Sequence, residues 1–250
     1  MTQEELNTLF DDLTVAHRTR EDLMKPRIIV SNQLKAIKRN AIKRHVEINI
    51  EDMEQNQVSK EEKKWEKTMV GISKLLPLYD WWCQHEGCSS LGLAMLLAET
   101  GNPSNYENPA KLWKRMGLDV WEGEANKNKF KGINTGYSKR RRMIAYRISS
   151  AIIKKKGKYR DVYDVRKKYE IERDEKGYNK DYVEKKKTFM MATYKTSVKK
   201  IKEGKLPACV IDARAQRYMV KKLIKDLWIA WQKEMNTNFV ATPWKKVGNF

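Results

Sequence analysis

The chain has 250 residues, with 52 Lys or Arg against 32 Asp or Glu, for a formal charge of +20. Hydrophobic residues reach 40%, enough for a core, and charged residues 34%, the density of a well-solvated helical protein. No run of about 18 apolar residues occurs, so no membrane span is expected. The N-terminal MTQEELNTLFDDL lacks the apolar centre of a signal peptide, and three cysteines (Cys83, Cys88, Cys209) are too few and too uneven for a disulfide framework. The expected compartment is the cytoplasm.

Residues 2 to 24 are acidic, with Glu4, Glu5, Asp11, Asp12, Glu21 and Asp22 against Arg18 and Arg20. Pro26 precedes an amphipathic run in which Val30, Leu34, Ile37 and Ala41 recur at helical spacing while Lys35, Lys38, Arg39, Lys43 and Arg44 face elsewhere. This predicts a long helix and a candidate half of a coiled coil, which leaves self-association open. Residues 49 to 67 are polar and mixed in sign and read as a solvated helix, with Ser59 and Glu62 at the spacing of a capping box. The chain turns apolar from Met69 to Trp82. Residues 87 to 101 and 102 to 118 then form two short helical units punctuated by Gly and Pro, with Pro109 in the first turn of the second helix. Residues 119 to 135 have no periodicity and read as a loop. A helix is predicted from Lys139 to Lys156, with Gly157 as its C-cap. The stretch 161 to 205 is polar and lysine-rich, with Asp181 as the candidate cap of a helix through Lys202, ended by Gly204 and Pro207. Val220, Ile224, Leu227 and Trp231 mark an amphipathic helix starting near Asp212. Period-two alternation is nowhere sustained. The predicted fold is therefore all-α: a helical domain with a helix-hairpin-helix-like unit and long flanking helices. Three regions follow: an N-terminal helical region at 1–68, the hairpin-containing domain at 69–160 and a C-terminal helical region at 161–250.

The strongest functional signal is a stretch with no acid at all. Residues 125 to 160 carry Lys127, Lys129, Lys131, Lys139, Arg140, Arg141, Arg142, Arg147, Lys154, Lys155, Lys156, Lys158 and Arg160. Like charges at helical spacing repel, so so one-sided a segment calls for an external anion, and a phosphate backbone is the commonest. Phe130, Tyr137, Tyr146 and Tyr159 are interleaved and could stack on bases. A second basic set, Arg214, Arg217, Lys221, Lys222 and Lys225, reads equally well as solvated surface, and Trp228 and Trp231 read as core.

The sharpest local pattern is Gly87-Cys-Ser-Ser-Leu-Gly92 leading straight into the apolar helix that ends at Glu99-Thr-Gly101. In a helix-hairpin-helix, such a turn brings backbone N–H groups against a phosphate oxygen, and Gly87, Ser89, Ser90 and Gly92 are small enough to allow it. A turn of this kind positions nucleic acid without reading sequence.

These residues resemble the C-terminal transposase domain of bridge-RNA-guided DEDD insertion-sequence transposases, relatives of Piv-type DNA invertases. Gly87 stands at the family's first glycine, Ala98-Glu99 at its Ala-Glu, Gly101-Asn102-Pro103 at Gly-Asp-Pro, Tyr106 at a Phe, and Asn108-Pro109 at Ser-Pro. Leu112 and Gly117-Leu118 complete the block, and Gly132 to Gly136 with Arg141-Arg142 resembles a later Gly-Ile-Thr-Lys stretch. Arg18 to Leu34 is similar to the helix that joins the family's two domains. The resemblance implies DNA as partner, structured RNA as an open alternative, multimeric assembly, and an upstream RuvC-like domain with two catalytic metals. That domain does not stand among these residues, and Asp11 and Asp12 lie in a helical start. The family's nucleophilic serine falls in the interval that here reads Asp119 to Lys131, which contains no serine. Ser89 replaces the second turn glycine. Ser138 is the remaining candidate nucleophile.

Cys83-x-His85-x-x-Cys88 offers three soft ligands where structural zinc takes four, so no metal is expected. His17 and His45 stand isolated, and no cofactor motif is present. The expected function is binding of nucleic acid, DNA first, bent or branched in shape, by a nucleoid-associated protein of a mobile element or phage without strand cleavage of its own. Two alternatives remain: an active recombinase needing a RuvC-like partner in trans, and a basic structural or assembly protein. The expected contacts are Gly87, Ser89, Ser90, Gly92, Lys127, Lys129, Lys131, Lys139 to Arg142, Lys154 to Lys156, Lys158 and Arg160.

Overall fold

The computed structural model describes residues 1–44, 55–121, 124–125, 138–236 and 239. Among them the fold is all-α. The single exception is a two-residue antiparallel ladder, β1 (Val120–Trp121) on β2 (Glu124–Ala125), inside the region expected to be loop.

The chain opens with α1 (Gln3–Arg44), a single helix of 42 residues. Pro26 does not end it but sits inside it, exposed. The acidic start and the amphipathic run are thus one rod. Its first half is anchored by Leu6, Phe10, Leu13 and Ala16, all buried. Its second half leaves Val30 and Ile37 at 40% and 43% exposure. α2 (Gln55–Lys74) packs along α1, and Ser59 lies within this helix rather than at its cap. Glu62, expected to serve that cap, is instead buried and ion-paired to Arg20 at 3.3 Å and Arg27 at 2.7 Å across the α1–α2 seam. Tertiary ion pairing has overridden local capping.

α3 (Tyr79–Cys83) leads through a turn into α4 (Ser90–Thr100). α4 is apolar all round and buried from Gly92 to Thr100, which places it at the centre. Asn102 and Pro103 open a single 3-10 turn (Pro103–Asn105). α5 (Pro109–Arg115) begins on a proline at its first turn, capped by Asn108 Oδ1 accepting from Lys111 N at 3.1 Å. α6 (Lys139–Lys155) ends at Lys156, which takes the left-handed φ of 55°. Gly157, expected as that cap, instead begins α7 (Lys158–Glu175), where a side chain would collide with Glu86.

The predicted helix from Asp181 to Lys202 is broken into α8 (Lys180–Lys185), α9 (Lys187–Thr193), a 3-10 turn (Lys195–Ser197) and α10 (Val198–Lys202). α11 (Ala208–Met235) starts before Asp212 and runs 28 residues. Val220, Ile224, Leu227 and Trp231 are buried along it, as their spacing predicts.

The main core gathers residues from every part of the chain, from Leu6 and Leu13 through Met69, Trp82, Leu93 and Ile148 to Trp231. The indoles fill it and satisfy themselves: Trp82 Nε1 donates to Ser89 O, Trp228 to Tyr106 O and Trp231 to Ser104 Oγ, each within 3.0 Å. Burying a side chain of this size stabilises the fold by about 2–3 kcal/mol. A smaller core (Val183, Met190, Ile201, Leu206, Ile211) holds α8 to α10 against the start of α11.

Candidate nucleic-acid interface

The α3–α4 turn is pressed onto α6. Gly87 has φ of +84°, and a Cβ there would stand 2.5 Å from Ile152 Cα, so glycine is required by helix-to-turn packing. Ser89 caps α4, its Oγ accepting from Gly92 N at 3.1 Å. Ser90 Oγ is 2.9 Å from Tyr79 Oη. Gly92 is buried, with Ser89 Oγ and Ile148 close to where its Cβ would be. The small residues singled out in the sequence thus have internal roles, and Gly87 and Ser89 also reach a surface cleft.

That cleft, of about 870 Å³, runs between the turn and the outer face of α6. Cys83, His85, Glu86, Gly87, Cys88 and Ser89 form one wall; Met143, Tyr146, Arg147, Ser150, Ala151, Lys154 and Lys155 form the other. Exposed Arg147, Lys154 and Lys155 give it a cationic rim against one carboxylate, Glu86. The lining between them is largely apolar. Cys88 is buried, and burial, reinforced by Cys83 and Glu86, pushes its thiol up to about 12, so it stays protonated and unreactive. His85 is fixed by tilted ring contacts with Trp81 at 4.7 Å and Tyr159 at 5.2 Å, with Nδ1 2.7 Å from Trp81 O.

The remaining predicted contacts divide sharply. Lys127, Lys129 and Lys131 lie outside the described residues. Lys139, Lys156 and Lys158 are exposed. The three consecutive arginines are engaged by acceptors of the protein itself, Arg140 from an exposed position. Arg140 reaches Glu21 at 2.9 Å and Glu99 at 2.5 Å, and Arg141 reaches Glu99 at 2.9 Å. Arg142 is buried and donates to Gly117 O at 2.5 Å. Arg160 is held by Asp164 at 2.8 Å and Ile153 O at 2.6 Å. The acid-free run is therefore acid-free along the chain but not in space: α1 and α4 supply carboxylates to the first turn of α6. Two of the five C-terminal basic residues are answered in the same way. Arg214 pairs with Glu170 and Lys222 with Asp226, while Lys221 lies 4.7 Å over the Trp113 ring, its pKa lowered by burial.

Ser138 is the N-cap of α6, its Oγ accepting from Arg141 N at 3.4 Å. His17, read as isolated, is buried with Nε2 3.3 Å from Glu99 and 3.7 Å from Glu21. Among the described residues these three form the one group of potential metal ligands within 4.8 Å. Arg140 and Arg141 already neutralise its carboxylates. Burial would raise the Glu99 carboxyl, but neighbouring His17 and the two guanidiniums outweigh it and hold it at about 2.

Sequence reasoning missed Met143, Ser150 and Ala151 as cleft residues, and placed Tyr146 only among the interleaved aromatics and Arg147 only in the general basic run. The signal existed: 143, 147, 150, 151 and 154 share one helical face, opposite buried Ile144, Ala145, Ile148 and Ile152.

Residues 83–164, about a third of the chain, match a family described as Transposase IS116/IS110/IS902 family. They span the turn, α4, α5, α6 and the start of α7, and that segment is transposase-like. No curated protein and no solved structure matches the chain.

Proposed function

We propose that this protein binds nucleic acid, DNA before RNA, through the cleft between the α3–α4 turn and α6, as a helix-hairpin-helix-like module of a mobile element or phage that works at the nucleoid. The observation that carries this reading is the cleft itself. Within the transposase-like segment, a glycine-dependent turn stands beside three cations on one helix face, and those cations form no ion pair among the described residues. Phosphate would sit against Arg147, Lys154 and Lys155, with Lys156 and Lys158 beyond, and the apolar lining with Tyr146 would accept the sugar and base side of the strand. Arg147 is the one planar, bidentate group among them and the lysines are point charges, too few readers for a sequence code, so preference should follow shape, a bent or branched duplex, rather than sequence. Cleavage is not part of the proposal: the serine nearest the family's nucleophile, Ser138, caps a helix.

The test is fluorescence anisotropy with a four-way junction, a linear duplex and a structured RNA, each across a salt series. Lys154→Glu with Lys155→Glu should weaken binding at least tenfold and lower the log–log salt slope by about two, at roughly 0.9 per phosphate contact on duplex. Arg141→Ala should act through stability instead, because its guanidinium faces Glu99. Affinity that is equal on all three probes, gone by physiological salt and indifferent to the Lys154 and Lys155 changes would sink the proposal and favour an assembly protein. Nicking of supercoiled DNA lost on Ser138→Ala would replace it with the recombinase reading.

A further inference from the structure

A second cationic surface lies outside the transposase-like segment. Between Glu184 and Glu203 the chain holds seven lysines and no acid. Unlike the three arginines in the first turn of α6, most of these charges are unanswered among the described residues. Lys185, Lys195, Lys199, Lys200 and Lys202 are exposed and form no ion pair among the described residues. Lys187 is paired, 3.1 Å from Glu184, and Lys186 lies 5.2 Å over the Tyr182 ring.

The chain does not leave this charge on a loose tail. α8, α9 and α10 close over the small core of Val183, Met190, Ile201 and Leu206. Buried Asp174, near the end of α7, accepts from Leu206 N at 3.1 and 3.2 Å and from Asn179 Nδ2 at 2.9 Å. Asn179 Oδ1 in turn accepts from Arg214 at 2.9 Å. The three helices of this cap, of 6, 7 and 5 residues, are all too short to be stable alone, and like charges crowd them, as at Lys195 and Lys199. Holding so many cations on a fixed scaffold disfavours folding unless an anion meets them. Phe189 stands among them at 63% exposure, and an exposed ring between lysines is the composition of a surface that stacks on unpaired bases.

Geometry links the cap to the cleft. α7 starts at Lys158 beside the cleft rim and ends at Glu175, just before the cap. At about 1.5 Å per residue its 18 residues separate the two by roughly 27 Å, the rise of about eight base pairs.

We propose that the α8–α10 cap is a second phosphate-binding face that takes the same nucleic acid beyond the cleft, with Phe189 stacking where the strand is unpaired. The proposal rests on the nucleic-acid reading of the cleft but concerns different residues, so the two can fail separately.

The experiment uses the full chain, a hairpin-closed duplex of about six base pairs (roughly 20 Å) and a blunt duplex of about 25. Lys199→Gln/Lys200→Gln/Lys202→Gln should weaken the long probe about tenfold, lower its salt slope by about two and leave the short probe unchanged. Because the three side chains are exposed, the thermal midpoint should hold or rise, and equal circular dichroism checks the fold. Phe189→Ala should weaken a long probe bearing a single-stranded tail more than the blunt one, and equal effects would remove the stacking role. Unchanged slope and affinity on the long probe, with Lys154→Glu/Lys155→Glu abolishing binding, would overturn the cap and leave the cleft. Loss with the cap variant alone would overturn the cleft and leave the cap. No binding of any probe by the unaltered protein would overturn both.

Discussion

Glu99 shows how one buried acid can set the meaning of a basic segment. It is almost fully buried on α4 and holds Arg140 and Arg141 at the start of α6, with His17 of α1 beside it. Its partners come from α1 and α6, so removing the carboxylate takes the ion pair from Arg141 and leaves Arg140 and His17 with Glu21 alone. Glu99→Gln should cost about 3 kcal/mol near neutral pH, in the range for breaking a buried pair. The pH dependence has a definite sign. The folded carboxyl is held at about 2 against an ordinary 4.5, so its contribution is complete above about 4.5 and is lost as pH falls from there toward 2. Urea midpoints of the two proteins should therefore differ most near neutral pH and converge in acid. A constant offset down to about pH 2.5 would show that Glu99 acts by packing and not by charge. The same residue stands at the Ala-Glu of the resembled family, a position whose sequence alone says nothing of the three cations around it.

At the level of elements, most helices are legible in the sequence because burial and periodicity agree. The apolar run Leu91 to Ala98 could only be an interior helix, and the 3.6 spacing of Val220 to Trp231 marks the buried face of α11. Three features were not legible, each for a physical reason. Ser59 and Glu62 satisfy a local capping rule, but Arg20 and Arg27 draw Glu62 into the α1–α2 seam. The segment from Asp181 to Lys202 has the composition of one helix, yet closing a small core over α11 requires it to bend. Pro26 signals a break, yet α1 continues through it because its packed first half and the Arg27–Glu62 pair at 2.7 Å hold both sides in line. That continuity has a cost, since the proline lacks an N–H and crowds the preceding turn. Pro26 is exposed and packs against no core, so Pro26→Ala should raise stability by about 2 kcal/mol in chemical denaturation. Unchanged or lower stability would mean that the helix is bent at Pro26 to suit the α2 contact. The candidate site was half legible for a related reason. Sequence shows which residues are cationic, but whether a cation is spent on an internal carboxylate depends on contacts as distant as Glu21 to Arg140.

Over the whole molecule, charge and core divide the labour differently from the order of the chain. One hydrophobic cluster draws on residues from Leu6 to Trp231, so α1, α4, α6, α7 and α11 should lose structure together. The cap has its own core of five buried residues and reaches the rest through α11 and a few hydrogen bonds to Asp174. It is the part that should open first. Native-state hydrogen exchange is expected to give the amides of α4 and α11 protection equal to the global stability, with those of α8 to α10 exchanging through a smaller opening. Low millimolar phosphate-rich polyanion should slow exchange in the cap and at the cleft face of α6 while barely changing α4, because an anion that binds the folded form alone stabilises what it touches. Uniform protection across α4 and the cap would place both in one cooperative unit, and the lysines of α8 to α10 would then be carried by the same core that holds the cleft. The predicted pattern instead describes a firm transposase-like centre with a cationic cap that opens separately from it.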